Sequence, residues 1–134
     1  MEAKQTAHPR GFVVRLHILG DFYSAAYAEL WGEAMVAFPA LRVFGYTAHG
    51  PLTEIGRIIG RLNKRHADRF AFRFSGHNEP TRGSIVIERG EKTPHTVCLA
   101  QRNLTDAAGT SKADCCATCA LCWQSDRTIA FWRH

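Results

Sequence analysis

The chain has 134 residues, of which 46% are hydrophobic and 22% are charged, and it carries a formal net charge of +5. This length and composition exclude a disordered or fibrous chain and predict one folded domain, residues 1–134. The longest apolar runs are far shorter than the ~20 residues that span a bilayer, and residues 1–10 lack the apolar core of a secretory signal, so we expect a cytoplasmic protein.

Alternating strands and helices are predicted for residues 12–75, after a flexible segment at residues 1–11. Corresponding units start at residues 13, 41 and 69, that is every 28 residues. This repeat predicts an α/β fold with a βαβαβ parallel-sheet core. The predicted elements are a strand at residues 13–19, a helix between Ser24 and Pro39, a strand at 41–47, a helix that begins near Thr53, and a strand at 70–75.

The two predicted helices differ in the side chains that they carry. The first has an apolar face made of Tyr27, Leu30, Trp31, Ala34 and Phe38. The second has a basic face made of Arg57, Arg61, Lys64 and Arg65, and the basic stripe continues to Arg69 and Arg73. Such a stripe can neutralise phosphates, although a solvated helix face is the more ordinary interpretation. Together with the net charge, it predicts an acidic protein or a nucleic-acid-bearing complex as the partner.

Residues 76–134 lose the repeating pattern. Turn-forming residues separate short predicted strands at 84–88, 97–100 and 128–132. Between the last two strands lies a polar, cysteine-bearing stretch with few large apolar residues. We therefore predict an irregular, metal-organised C-terminal segment that ends in a final strand.

Four cysteines are predicted to form one metal centre. Cys116, Cys119 and Cys122 make a C-x-x-C-x-x-C run, and Cys98 supplies a fourth thiolate from the end of an apolar segment. Cys115 is the spare thiol, because neighbouring side chains in extended backbone point to opposite faces. The alternative, in which Cys115 replaces Cys116, stays open.

The identity of the metal also stays open. The consecutive spacing is typical of the loop that wraps a [4Fe-4S] cluster, whereas four thiolates at ~2.3 Å in a tetrahedron would satisfy Zn²⁺ equally well. A thioredoxin-like dithiol does not account for the additional cysteines. Inert buried cysteines rarely cluster so tightly.

Polar residues follow the predicted strands and form a second candidate site. Because the carboxyl ends of parallel strands share one edge of a sheet, these residues could line a common pocket. Each of them also has an ordinary structural interpretation, as a helix cap or a solvated loop residue. The candidate pocket residues are Asp21, Tyr23, Thr47, His49, Ser75, His77 and Asn78.

Three segments resemble the phage and prophage gene product 88 family: RLHILGDFYS at residues 15–24, FPALRVFGYTA at 38–48 and CATCALCW at 116–123. The resemblance runs from about Arg15 to His134. It implies an origin in a mobile element and an architecture in which the strand-end segment and the C-terminal cysteines belong together. Longer members carry an upstream cysteine-bearing segment that does not precede the first strand here, which favours a binding role over an enzymatic one.

The sequence thus predicts a phage-derived, metal-binding protein of the host cytoplasm that acts by binding. One such role is counter-defence, as an anti-CRISPR inhibitor that contacts the nucleic acid of a CRISPR effector. The alternative is an iron–sulfur enzyme, or a remnant of one, in which Asp21, His49 or His77 act as acid–base groups in the strand-end pocket. Motifs for phosphate-binding loops, serine hydrolases and zinc proteases are absent from the sequence.

Overall fold

The computed structural model describes residues 1–77, 82–102 and 119–133 of the chain. The helices are α1 (Glu2–Ala7), α2 (Ala25–Ala37), α3 (Glu54–Arg65) and the short α4 (Leu121–Gln124), with a 3-10 turn at Leu99–Arg102. The strands are β1 (Phe12–Arg15), β2 (Leu41–Thr47), β3 (Phe70–Ser75), β4 (Gly83–Ile87), β5 (Thr96–Val97) and β6 (Ile129–Trp132). No helix within these ranges is long and apolar enough to cross a membrane.

The six described strands form one parallel sheet in the order β1-β2-β3-β4-β6-β5. The predicted α/β class and its βαβαβ core are confirmed, because β1 pairs with β2 and β2 with β3, all in parallel. The final strand was also predicted, and it inserts between β4 and β5. The carboxyl ends of the strands therefore lie along one edge of the sheet.

The N-terminal region contains one helix that was not predicted and one strand that is shorter than predicted. Residues 1–11 contain α1, and the Ala40 amide donates a hydrogen bond to the side chain of Gln5 at 3.2 Å. β1 ends at Arg15 instead of at residue 19, because His17 has a φ of 55°, outside the extended region.

The first core layer lies where α2 and α3 pack on one face of the sheet. Both helices begin as predicted, since the hydroxyls of Ser24 and Thr53 accept hydrogen bonds from amides of the first turn. The predicted apolar face of α2 packs on this core except at Leu30, which is 54% exposed. Ala28 and Met35, which were not predicted, are fully buried. These two residues are seven apart, and they mark the centre of the buried face.

Side chains make hydrogen bonds to the backbone of β3 where β4 does not pair with it. β4 pairs with β3 only at the last two residues of β3. Nearer the start of β3, the side chain of Asn63 accepts from the Phe72 amide at 2.9 Å and donates to the Phe72 carbonyl at 2.8 Å. The guanidinium of Arg82 donates to the Phe70 carbonyl at 3.1 Å. The buried polar groups of this central strand are thereby satisfied.

The second core layer covers the opposite face of the sheet. Phe44, Ala71 and Ile129 alternate with the residues that face α2 and α3, and Cys122 of α4 packs on them. Cys98 is partly buried against the same cluster. This layer holds two of the three described cysteines that were predicted as metal ligands.

Candidate functional site

Arg73 fastens the C-terminal chain to the second face of the sheet. Its side chain is fully buried, and burial lowers the pKa of its guanidinium below the ordinary value, an effect that nearby Cys122 and Tyr46 oppose. The guanidinium donates hydrogen bonds to the carbonyl oxygens of Gly83, Leu121, Cys122, Ser125 and Arg127. The prediction that Arg73 extends the basic stripe is therefore wrong. The sequence does contain a feature that indicates this burial: Arg73 stands between two phenylalanines in an apolar strand.

Arg69 also lies outside the basic stripe. Its guanidinium donates to carbonyl oxygens at the end of α2 and in the turn to β2, those of Met35, Phe38, Pro39 and Leu41. It thus binds the last carbonyls of a helix, a position where a cation is favourable.

Tyr46 and Cys122 meet in the second core layer. The Tyr46 hydroxyl donates a hydrogen bond to Cys122 Sγ at 2.8 Å. Burial raises the pKa of Tyr46 far above its ordinary value and Cys122 adds to the rise, so the hydroxyl keeps its proton and remains a donor. Cys98 acts electrostatically on the same hydroxyl. The fold therefore brings two of the four predicted thiol ligands together around Tyr46.

The remaining predicted ligands are not assembled within the described chain. Cys119 is half-buried and precedes Ala120, whose φ of 53° turns the backbone into α4. Cys115 and Cys116 lie outside the described residues. In the described ranges, no three histidine, cysteine or acidic side chains are grouped so that they could hold a metal ion. The thiols of Cys98 and Cys122 have the right chemistry for Zn²⁺ or an iron–sulfur cluster, and the metal centre stays a prediction.

Three of the predicted pocket residues meet at the carboxyl ends of β1 and β2. The Asp21 carboxylate accepts hydrogen bonds from the Phe22 amide at 2.7 Å, the Ala48 amide at 2.6 Å and the Thr47 hydroxyl at 3.1 Å. Thr47 Oγ1 accepts from the His49 amide, and His49 Nε2 lies 2.8 Å from the Phe22 carbonyl oxygen. These hydrogen bonds connect the segment after β1 to the end of β2, so Asp21 has a structural role.

The other predicted pocket residues are dispersed. Tyr23 is 80% exposed and stacks on Tyr27, with ring centroids 4.6 Å apart. His77 is half-buried just beyond the end of β3. Ser75 lies at the rim of a cavity, and Asn78 lies outside the described residues.

That cavity has a volume of about 490 Å³ and opens at the carboxyl edge of the sheet. Sequence reasoning grouped Ser75 with this edge but not most of the other lining residues, because the order of the strands brings them together. The lining residues come from several strand ends and their neighbours: Arg15, Tyr46, Ser75, Gly76, Ser84, Ile85, Val86, Gln101, Phe131, Trp132 and Arg133.

A second, larger concavity runs beside α3. This groove, of about 1130 Å³, has five cations and one carboxylate among its described lining residues: Arg57, Arg61, Lys64, Arg65 and Arg82, with Asp126. All four residues of the predicted basic helix face are among them. This groove is called the α3 groove below.

The cations of the α3 groove differ in how they are neutralised. Arg61 forms an ion pair with Glu29 of α2, and the buried Arg82 pairs with Asp126 at 2.9 Å. Arg57, Lys64 and Arg65 are exposed and make no ion pair in the described part of the chain. These three exposed side chains therefore give the groove positive charge that no described carboxylate neutralises.

A family model described as gene product 88 matches residues 1–125, most of the chain. The chain belongs to the gene product 88 family. Membership confirms the resemblance and places the chain among phage proteins. No curated protein and no solved structure matches it.

Two of the segments that resemble the gene product 88 family touch each other in the fold. Residues 15–24 contain Asp21, and residues 38–48 contain its hydrogen-bond partners Thr47 and Ala48. Both segments lie at the carboxyl edge of β1 and β2. The family match ends at residue 125, before β6, although β6 is central to the second half of the sheet.

Proposed function

We propose that this member of the gene product 88 family is a metal-binding protein that acts by binding, in the host cytoplasm, to the phosphate backbone of a nucleic acid. The binding surface is the α3 groove. The role that we propose for this binding is counter-defence of the anti-CRISPR type, with the nucleic acid held in a host effector complex; the phage family and the charge of the groove support it.

The unpaired charge of the α3 groove carries the proposal. Arg57, Arg61 and Lys64 follow one another at intervals of about one helical turn, so they make a cationic row roughly 10 Å long. Within residues 1–77, 82–102 and 119–133, Arg61 is the one member of this row that is paired with a carboxylate. Phosphates are the ligands that such a row of guanidinium and ammonium groups neutralises best.

A nucleic acid fits this groove better than an acidic protein does. Protein interfaces centre on buried aromatic or aliphatic anchors surrounded by a polar rim. Among the described residues of the lining, Phe74 is the one aromatic side chain, and it is almost fully buried in the first core layer. The described lining of the groove is therefore rich in charged side chains and poor in large apolar ones.

Binding to a short fluorescent single-stranded RNA tests this proposal. A variant with Arg57→Gln, Lys64→Gln and Arg65→Gln should bind at least about tenfold more weakly in fluorescence anisotropy. The matched control removes the same charge elsewhere on the surface, with Lys4→Gln, Arg10→Gln and Lys92→Gln, and should change the affinity less than about threefold. Equal losses in both variants, or no binding by the unaltered protein, would refute the groove as the site.

Inhibition of a purified CRISPR effector tests the counter-defence role separately. The unaltered protein should slow cleavage of target DNA, and the groove variant should not. A CRISPR effector exposes both guide RNA and displaced DNA, whose phosphates would be the ligands. If the protein binds RNA through the groove but no effector is inhibited, the anti-CRISPR role is wrong and the binding activity stands.

The proposal includes one metal centre held by Cys98, Cys116, Cys119 and Cys122. Its support is the packing of Cys98 and Cys122 in one cluster, at the place where the cysteine-bearing chain returns to the sheet. The Tyr46 hydrogen bond to Cys122 is of the kind that orients a thiolate ligand from outside the metal's own shell. A zinc ion would contribute stability, and an iron–sulfur cluster would add electron transfer.

Metal content measured by elemental analysis tests this centre. Cys98→Ser and Cys122→Ser should each reduce the bound metal and lower the melting temperature, whereas Cys115→Ser should leave both nearly unchanged. Anaerobic purification distinguishes a brown, charge-transfer-absorbing cluster from colourless bound zinc. A protein that purifies without metal and whose melting temperature is insensitive to chelators would contradict the centre.

A second candidate function is an iron–sulfur enzyme, or a remnant of one. The observation that favours it is the position of Tyr46, which lines the cavity at the carboxyl edge and donates to Cys122 behind it. A cluster at the cysteines would then lie next to a cavity of ligand size. Cluster content together with turnover of a substrate would support this candidate, and a zinc-loaded protein would exclude it.

A further inference from the structure

The cavity at the carboxyl edge of the sheet is separate from the α3 groove, and the described residues that line the two are different. It lies on the side of the second core layer, because Tyr46 and Phe131 belong both to its lining and to that layer. The α3 groove lies beside α3, which packs on the first layer. A volume of about 490 Å³ is within the range of small-molecule sites.

The aromatic surface of this cavity comes from two strand-end side chains. Tyr46 and Phe131 meet edge to face, with ring centroids 5.6 Å apart. Trp132 also lies in the lining, but it follows Phe131 in β6 and its ring is covered by the guanidinium of Arg89 at 5.1 Å. Aromatic rings in this arrangement favour another flat ring in offset or edge-to-face contact.

One cation of the lining is available to a ligand. The guanidinium of Arg15 lies over the Tyr46 ring at 5.9 Å, and it makes no ion pair or hydrogen bond within the described residues. Arg133, the other cation of the lining, pairs with Glu88 at 2.6 Å. A ligand anion would therefore find its partner at Arg15.

Two hydroxyl groups complete the polar part of the cavity. Ser75 and Ser84 lie side by side on paired strands, with their Oγ atoms 3.4 Å apart. Gln101 also reaches the lining, but its side chain accepts from the Trp132 amide and donates to the Trp132 carbonyl. The Ser84 hydroxyl donates to Ser75 Oγ and to the Phe74 carbonyl, so the Ser75 hydroxyl is the one that can donate to a ligand, while Gln101 maintains the strand edge.

We propose that this cavity binds a small aromatic or heteroaromatic anion, up to the size of a mononucleotide. The ring of the ligand packs against Tyr46 and Phe131, and its anionic group binds Arg15. The Ser75 hydroxyl donates to its polar edge. This site goes beyond the proposed function, because neither the α3 groove nor the metal centre is needed for it.

Titration of the full-length protein with adenosine monophosphate tests the site. Binding should appear in calorimetry and should shift the NMR signal of the Trp132 indole N–H. Adenosine alone and inorganic phosphate alone should each bind at least about tenfold more weakly, since each lacks one of the two contacts. Indole-3-acetate, an aromatic carboxylate, distinguishes a general aromatic-anion site from a nucleotide site.

Substitutions inside and outside the cavity test where adenosine monophosphate binds. Arg15→Leu should weaken binding of adenosine monophosphate about tenfold and Arg15→Lys less, whereas Arg10→Leu, an exposed arginine outside the cavity, should have no effect. The α3 groove variant should bind adenosine monophosphate normally, which separates this site from the RNA surface. Failure of both anions to bind at millimolar concentration, or binding that ignores Arg15→Leu and requires the groove cations, would overturn the proposal.

Discussion

The Tyr46 hydroxyl and Cys122 Sγ are joined by a 2.8 Å hydrogen bond between residues that are 76 positions apart in the chain. This bond links the second strand of the sheet to α4, the short helix that contains the last cysteine of the run. It makes Tyr46 the contact between the cavity at the carboxyl edge and the predicted metal ligands.

Tyr46→Phe should therefore lower the free energy of unfolding by about 1 kcal/mol, the usual contribution of one buried hydrogen bond. Urea denaturation measures the change. Tyr23→Phe is the control, because Tyr23 is 80% exposed, and it should be neutral. Equal stability of both variants would mean that the Tyr46 bond contributes nothing.

Arg73→Met should have a much larger effect. It removes the donor for five backbone carbonyls, most of them in or next to α4. We expect a loss of about 3 kcal/mol or more and the release of the C-terminal chain from the sheet. Arg42→Met, at an exposed position of β2, should cost less than about 1 kcal/mol. Limited proteolysis should cut the Arg73 variant near α4 first, and a protease-resistant C-terminus would contradict this role.

Asp21→Ala tests whether the strand-end aspartate is structural. Its three accepted hydrogen bonds predict a loss of about 2 kcal/mol in the free energy of unfolding. Asp68→Ala, whose side chain is 77% exposed, should cost less than about 0.5 kcal/mol. Similar stability losses in the two variants would mean that the Asp21 bonds add nothing in the folded chain.

His66, at the end of α3, reports on charge near the groove. Burial, then Arg69 and Arg65, lower its pKa below the ordinary 6.5, and Asp68 opposes them. The folded chain therefore binds this proton less readily than the unfolded chain, so stability should fall as the pH drops through 6.5. RNA in the groove should raise the pKa of His66 in an NMR titration, and an uncharged peptide nucleic acid of the same sequence should not. An unmoved pKa with RNA bound would place the RNA away from Arg65.

The first half of the fold could be predicted because its signals are local. The strands at residues 41–47 and 70–75 and the caps at Ser24 and Thr53 follow from apolar runs and turn residues in short windows. The end of β1 was missed, since no local pattern announces the positive φ of His17. The pairing of β6 between β4 and β5 is non-local, and only the presence of that strand could be predicted.

Some residues of the candidate sites could likewise be predicted from local patterns, whereas others are brought together by strands that are distant in the sequence. The basic helix face follows from helical spacing, and the structure retains Arg57, Arg61, Lys64 and Arg65 in one groove. The cavity residue Arg15 could not be found from the sequence, because its neighbours there come from strands far along the chain. Arg73 was misassigned because helical and strand positions were joined in one stripe, although β3 directs it to the opposite layer.

The salt dependence of RNA binding shows whether the cations of the α3 groove neutralise phosphates. Each cation that neutralises a phosphate of a single strand contributes about 0.7 to the slope of log Kd against log salt concentration. The variant with Arg57→Gln, Lys64→Gln and Arg65→Gln should therefore have a slope smaller by about 2 than that of the unaltered protein. A slope that is the same in both proteins would contradict the account, because the phosphates would then be bound elsewhere.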